Sequence, residues 1–109
     1  MLRRTGPSAS ERVHVGGLVV DRATRRVTVG GVPVAFSGKE FELLLKLASD
    51  PGRVFTKDEL LRDVWDYRSF GRTRTLDSHA SRVRRKLAAA GGTGYVVNVW
   101  GVGYKLVDA

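Results

Sequence analysis

The segment from Arg72 to Leu87 constrains the fold most, because its apolar residues recur at the period of an α-helix. Placed at about 3.6 residues per turn, they fall on one narrow stripe, which consists of Leu76, Ala80, Val83 and Leu87. An apolar stripe has to be buried, so the opposite side of the helix is held outward. The rest of the chain must therefore cover one face of this helix and leave the other face accessible.

That outward face is strongly basic. Between Arg72 and Leu87 the chain has six Lys or Arg residues and one acid, Asp77. An ordinary solubilising face mixes both signs of charge. Guanidinium groups and short hydroxyls are the groups that contact phosphates and base edges in a DNA groove. The segment thus favours a DNA-reading helix, with a solvated, charged surface helix as the alternative.

Size and charge limit the classes of function. A chain of 109 residues, 42% hydrophobic and 28% charged, is typical of one globular domain. A net charge of +8 indicates a polyanionic partner. No apolar run is long enough for a membrane span or a signal peptide, so we expect a cytoplasmic protein. With no cysteine and two histidines, neither a metal nor a cofactor is expected.

The first third of the chain has the pattern of an antiparallel sheet. Residues 1–12 lack periodicity and are predicted to be a flexible linker or tail, ahead of a single domain over residues 13–109. Strand-like runs follow at 13–20, 26–29 and 32–36. Gly30 and Gly31 suit a two-residue hairpin turn, and Pro33 places its strand at a sheet edge.

Helix-capping motifs mark the next elements. Ser37–Glu40 is a capping box that opens a helix from about Gly38 to Ser49, and Thr56–Glu59 opens a second helix. The inward residues of that second helix are predicted to be Leu60, Leu61, Val64 and Trp65. The basic helix, about Thr75 to Ala90, comes next, followed by a hairpin around Gly101–Gly103. This order of elements predicts an α+β fold, a winged helix-turn-helix.

Four segments, in order, resemble one known family. They are Val34–Leu45, Val54–Leu61, Arg74–Leu87 and Asn98–Tyr104. Together they are similar to the C-terminal effector domain of OmpR/PhoB-type response regulators, the transcription factors of bacterial two-component systems. The resemblance implies an N-terminal four-stranded antiparallel sheet, three helices and a C-terminal β-hairpin wing. It also implies sequence-specific binding of double-stranded DNA rather than enzymatic activity, with the third helix in the major groove and the wing near the minor groove.

The resemblance and the helix geometry together nominate contact residues. Ser81 and Arg82 match base-reading positions, and Ser78 and Arg85 are added because they lie on the same face of the helix. The positions assigned to the phosphate backbone are Trp65, Arg72, Arg74, Thr75, His79, Arg84 and Tyr104. For the two aromatic residues an alternative stays open, in which Trp65 belongs to the core and Tyr104 supports the hairpin.

Two residues of the third helix have competing interpretations. For His79 we expect a neutral imidazole that donates to a phosphate, with an unengaged surface histidine as the alternative. Asp77 is expected within the first turn of the helix, where the helix dipole favours a carboxylate. It could instead accept a hydrogen bond from a cytosine amino group.

The chain departs from the family pattern at the wing. The wing residues are Asn98, Trp100 and Gly101, whereas many members of the family have arginine at the position of Trp100. An indole cannot provide the cation that a narrow minor groove attracts, so electrostatic reading by the wing is in doubt.

The resemblance also suggests partners. The segment 66–73, with Tyr67, Arg68 and Phe70, matches a loop that contacts RNA polymerase or shapes the turn. Relatives commonly pair as homodimers on direct repeats of promoter or operator DNA. The family's phosphorylatable receiver domain is not among these 109 residues. The chain is either a fragment of a longer protein, which its linker-like start favours, or a stand-alone domain. RNA binding and a purely protein-binding winged helix are the competing functions.

Overall fold

The computed structural model describes residues 12–65, 73–92 and 94–107, and this described part begins with a meander of four antiparallel strands. The strands lie in sequence order and are β1 (Arg12–Val15), β2 (Leu18–Asp21), β3 (Arg26–Val29) and β4 (Val32–Val34). Valine and leucine side chains alternate along them, so that one face of the sheet is buried. The expected four-stranded sheet is confirmed, and the linker predicted at the N-terminus lies outside the described residues apart from Arg12.

The run at 13–20 is two strands rather than one. Gly16 has a φ of 58° and, with Gly17, forms a turn that pairs Val15 with Leu18. A positive φ is inexpensive only for glycine, so the turn falls at this pair. The Gly30–Gly31 turn is confirmed, with φ values of 56° and 87°. Pro33 lies on β4, at the edge of the sheet, as its missing N–H requires.

Three helices follow the sheet. Helix α1 spans Gly38–Ala48, α2 spans Lys57–Leu60 and continues as a π-helical turn over Leu61–Trp65, and α3 spans Thr73–Ala89. Both predicted capping boxes are present, each with its two reciprocal hydrogen bonds. Because α3 starts at Thr73, Asp77 lies beyond its first turn, and the predicted role of Asp77 at the helix end is wrong.

Helix α3 ends where its glycines allow. Gly91 has a φ of 93°, and the N–H of Gly92 donates to the Leu87 carbonyl at 2.7 Å. The N–H of Gly91 donates to the Ala88 carbonyl at 3.0 Å. These two bonds form a Schellman cap, which satisfies carbonyls that the last turn would otherwise leave unpaired.

The C-terminal hairpin belongs to a second sheet. Strands β6 (Val96–Val99) and β7 (Gly103–Leu106) pair around a tip made of Trp100, Gly101 and Val102. A short strand before α2, β5 (Phe55–Thr56), pairs with β7, which the sequence did not predict. Gly103 is consequently part of β7 and not part of the tip.

The core lies where α1, α3 and the two sheets meet. All four residues of the predicted apolar stripe of α3 are buried, as are most of the apolar residues of α1. The Tyr95 hydroxyl accepts a hydrogen bond from the Gly17 N–H at 3.0 Å, which joins the N-terminal sheet to the last segment. Among the described residues, no helix is long and apolar enough to cross a membrane.

Candidate nucleic-acid interface

Helix α3 presents its arginines to solvent. Arg74, Arg82, Arg84 and Arg85 are all exposed; three of them lie opposite the buried stripe, and Arg84 flanks it. Within the described part of the chain, none of the four is in an ion pair with a carboxylate. Guanidinium groups without a protein partner keep their donors available for an external anion. The exposed face of α3 is therefore suited to a polyanion.

The hydroxyl residues of this face lie beside the arginines. Ser78 is exposed, and Ser81 and Thr75 are half-buried. The structure thus brings the four residues predicted to read bases onto one accessible face: Ser78, Ser81, Arg82 and Arg85. Their contacts with bases remain predictions.

Lys86 is the exception among the basic residues of α3. Its Nζ lies 2.5 Å from Oε1 of Glu40, a carboxylate that is only 3% exposed. Oε1 also accepts the N–H of Ser37 at 3.0 Å. Burial alone would raise the pKa of Glu40, but the hydrogen bonds from Lys86 and Ser37 outweigh it and leave that pKa below its ordinary value. Lys86 thus joins α3 to the N-terminus of α1.

Asp77 joins α3 to the hairpin. Its Oδ1 accepts a hydrogen bond from the Tyr104 hydroxyl at 2.5 Å and lies 3.3 Å from Nζ of Lys57. We call Asp77, Tyr104 and Lys57 the Asp77 cluster. Burial and the bond to this carboxylate raise the pKa of Tyr104 well above its ordinary value of 10.0. The cluster connects the N-terminal half of α3, the first residue of α2 and strand β7.

The Asp77 cluster bears on two sequence interpretations. Tyr104 is 4% exposed, and its hydroxyl group donates to Asp77. Of the two interpretations of Tyr104, this favours support of the hairpin and not contact with a phosphate. Oδ1 of Asp77 already accepts a hydrogen bond from the Tyr104 hydroxyl and lies near Nζ of Lys57. This favours a structural role for Asp77 and not a hydrogen bond from a cytosine amino group. Lys57 itself was missed, although its place as the first residue after the Thr56 cap could have drawn attention to it.

An Asp77→Asn variant tests this account of Tyr104. A neutral amide no longer opposes ionisation of the phenol, so we expect the pKa of Tyr104 to fall towards 10.0, with burial keeping it somewhat higher. A phenol pKa that is raised in the folded state stabilises that state at a pH below the raised pKa. The variant loses this stabilisation, so it should also unfold at a lower alkaline pH than the wild type. Ultraviolet absorbance titration of the phenolate follows both effects. An unchanged titration curve would contradict the bond.

His79 is held by its own helix. Its Nδ1 lies 2.8 Å from the Thr75 carbonyl oxygen, which can only accept, so Nδ1 carries the proton. A neutral imidazole then offers only an acceptor at Nε2, and the expected donation from a neutral ring to a phosphate does not fit. The imidazolium form has a second donor. Trp65, half-buried, contacts the His79 ring edge to face at a centroid distance of 5.0 Å.

The wing tip is apolar and firmly attached. Trp100 is 87% exposed and Val102 is 45% exposed. The Val102 N–H donates to the Val99 carbonyl at 3.0 Å, and the Lys57 N–H donates to the Val102 carbonyl at 3.1 Å. Gly101 has a φ of 74°, as this tight turn requires.

Asn98 differs from the other predicted wing residues, because its Oδ1 is buried and has no hydrogen-bond partner among the described residues. The predicted partner loop, with Tyr67, Arg68 and Phe70, lies outside the described residues, and so does Arg72. In the part of the chain that the structure describes, no group of three or more His, Cys, Asp or Glu side chains could hold a metal ion.

Comparison with known proteins places this geometry in context. Residues 31–106 match the family described as transcriptional regulatory protein, C terminal. The transcriptional regulatory protein ResD of Bacillus subtilis (strain 168) is 43% identical over 90 residues, which cover 81% of this chain and 38% of ResD.

Solved structures agree with the family match. The DNA-binding domain of Klebsiella pneumoniae RstA, in complex with the RstA box, has a TM-score of 0.78 and 29% identity, and the match covers 91% of this chain and 99% of that one. Thermotoga maritima DrrB, an OmpR/PhoB homolog, has a TM-score of 0.76 and 30% identity, with coverage of 89% and 44%. The chain therefore spans less than half the length of ResD and of DrrB.

Proposed function

The chain belongs to the OmpR/PhoB family of transcriptional regulators as a C-terminal DNA-binding domain, and we propose that it grips double-stranded DNA at two adjacent grooves. Helix α3 enters the major groove with Ser78, Ser81, Arg82 and Arg85 towards the base edges. The hairpin tip approaches the neighbouring minor groove. The family is one of DNA-binding transcription regulators and not of enzymes.

The observation that carries this proposal is the pair of opposite faces on α3. Its apolar stripe is buried, while four arginines outside the stripe are exposed and unpaired within the described residues. A helix supported in this way fits the major groove of B-form DNA, which is wide enough to admit it. The major groove of A-form RNA is deep and too narrow to admit such a helix.

Affinity and specificity come from different residues in this proposal. Arg74 and Arg84, with Thr75 and Arg72, bind phosphates and set the register, whereas Arg82 reads a base. Phosphate contacts release counterions, so binding weakens steeply with salt; four to six contacts give a slope of roughly −4 to −5 in log K against log salt. His79 adds a phosphate contact only as the imidazolium.

The remaining partners are proposed on the family's pattern. In the cell, the domain acts in the cytoplasm, as a homodimer on direct repeats of operator DNA. The loop with Tyr67, Arg68 and Phe70 contacts RNA polymerase. The chain matches longer regulators over part of their length, and we propose phosphorelay control by a receiver domain for such a longer protein on the family's pattern alone.

Two alanine variants separate the reading of bases from the binding of phosphates. Arg82→Ala should weaken binding to the selected duplex by about 1–3 kcal/mol and reduce its advantage over random duplex. Arg74→Ala should weaken both duplexes about equally and make the salt slope less steep by about 1. Fluorescence anisotropy with a duplex selected from a random pool, over a range of salt concentrations, measures both.

Arg26→Ala provides the matched control, because Arg26 is exposed on β3 of the N-terminal sheet and is not part of α3. It should change neither the affinity ratio nor, by more than a small amount, the salt slope. If Arg82→Ala leaves the ratio of specific to random binding unchanged, Arg82 does not read a base. If duplex RNA competes as well as duplex DNA at equal salt, the proposal of a major-groove DNA reader is wrong.

A further inference from the structure

The wing tip concentrates exposed apolar surface in one place. Only three large hydrophobic residues among those described are exposed, and two of them, Trp100 and Val102, stand on the same tip. Tryptophan usually buries most of its ring, so an exposure of 87% is unusual for this residue. Exposed apolar surface of this kind indicates a binding contact.

The tip is also rigidly placed relative to α3. The Lys57 N–H holds the Val102 carbonyl at 3.1 Å, and Lys57 lies 3.3 Å from Asp77. The Tyr104 hydroxyl ties β7 to the same carboxylate. Asp77 lies in the N-terminal half of α3, which also carries Arg74 and Ser78. The hairpin is therefore attached next to the part of the helix that contains these two proposed DNA contacts. Little freedom is lost when such a tip binds.

We propose that Trp100 is an apolar specificity contact, which inserts its indole against the sugars and base edges of a widened minor groove. This inference rests on the proposed function. A narrow A-tract groove selects cations through its negative potential, and an uncharged indole gains nothing from that potential. An apolar wedge instead requires a groove that opens by partial unstacking. Flexible pyrimidine–purine steps open most readily.

The wing therefore selects DNA by how easily it deforms and not by how strongly it attracts a cation. A contact made by the uncharged indole of Trp100 depends little on salt. The preferred operator carries a TA or CA/TG step where the tip meets the minor groove, and an A-tract at that position is disfavoured.

A set of flanking sequences tests this inference. The selected duplex is prepared with either a TA step or an A-tract at each position flanking the α3 site. Wild-type protein should favour the TA duplex at one flank by about tenfold, within the range of stacking contacts of aromatic residues on bases. Trp100→Ala should reduce that preference to about twofold or less. Trp100→Arg should favour the A-tract and steepen the salt slope by about 1.

Val32→Ala is the matched control, because Val32 is exposed on the edge strand β4, which belongs to a different sheet from the wing. It should retain the wild-type preference. A second measurement follows Trp100 directly: protein labelled with 5-fluorotryptophan has two ¹⁹F signals, one for each tryptophan. The signal missing in Trp100→Ala should lose its H₂O/D₂O isotope shift when the duplex binds.

The outcomes are distinguishable. A Trp100 signal that stays solvent-accessible in a complex that still depends on Arg74 and Arg82 overturns the inference and leaves the proposed function intact. A flank preference that survives Trp100→Ala also overturns it. If no duplex binds under any condition, the proposed function fails and the inference fails with it.

Discussion

Gly103→Ala should destabilise the domain by about 3 kcal/mol or more, a large share of the stability of a domain this size. A Cβ built on Gly103 falls within the carbonyl group of Phe55, far inside van der Waals contact. The atoms that the new methyl group meets belong to the backbone and not to a flexible side chain, so a change of rotamer cannot relieve the clash. Strands β5 and β7 would have to separate, although their pairing holds the base of the hairpin.

Urea denaturation of Gly103→Ala measures this loss, and Gly38→Ala is its control. A Cβ on Gly38 meets nothing within 4 Å, and Gly38 is the first residue of helix α1. The same substitution there should stabilise the domain by about 0.4–1 kcal/mol, because it restricts the unfolded chain. If both variants unfold at the wild-type urea concentration, the close approach of β5 to β7 is wrong.

Lys86→Met should be the second most damaging change, with an expected loss of about 2–3 kcal/mol. It retains most of the length of the side chain but leaves the Glu40 carboxylate, 3% exposed, with Ser37 as its remaining described partner. Removing one partner of a buried ion pair costs more than the pair contributes. The Lys86 side chain is 40% exposed, which moderates the effect.

The pH dependence identifies the cause. In the wild type the pKa of Glu40 is lowered. The ionised carboxylate therefore stabilises the folded state at a pH above the ordinary pKa of glutamate, and this stabilisation is lost as the pH falls through the pKa of the folded state. Without Lys86, burial raises that pKa, and protonation then favours the folded state. The stability difference between Lys86→Met and wild type should therefore begin to shrink above pH 4.5, as the variant's carboxylate takes up its proton, and should shrink further as the pH falls below 4.5 and the wild type loses stability.

Two further variants complete this test. Adding Glu40→Gln to Lys86→Met should recover much of the loss, since Gln retains the capping box without a buried charge. Lys46→Met removes the half-exposed pair of Lys46 with Asp63, at 3.0 Å, and should cost only about 0.5–1 kcal/mol. A double variant no more stable than Lys86→Met would contradict the assignment of the loss to an unpaired carboxylate.

Features encoded by neighbouring residues were predictable from the sequence. A capping box places its two partners three residues apart, so Ser37 and Thr56 reveal where α1 and α2 begin. The period of α3 identifies its buried stripe and hence its exposed face. The Gly30–Gly31 turn follows from the positive φ that it requires.

Features that depend on distant residues were not predictable in the same way. Asp77 and Tyr104 are 27 positions apart, and Glu40 and Lys86 are 46 apart. No local pattern indicates that these side chains meet, so the sequence identified Lys86 only as a basic residue that flanks the outward face. Strand β5 has only two residues and exists through its pairing with β7. Such a strand leaves no period of its own.

The bond between Tyr95 and Gly17 has a consequence for how the chain becomes a domain. It joins residues 78 positions apart, and the segment it anchors contributes Val96, Tyr104 and Leu106 to the buried core. The core is therefore incomplete until the segment from Tyr95 to Leu106 has left the ribosome. A chain that stops before Tyr95 does not correspond to a helix-turn-helix that lacks only its wing, because part of its hydrophobic core is missing as well.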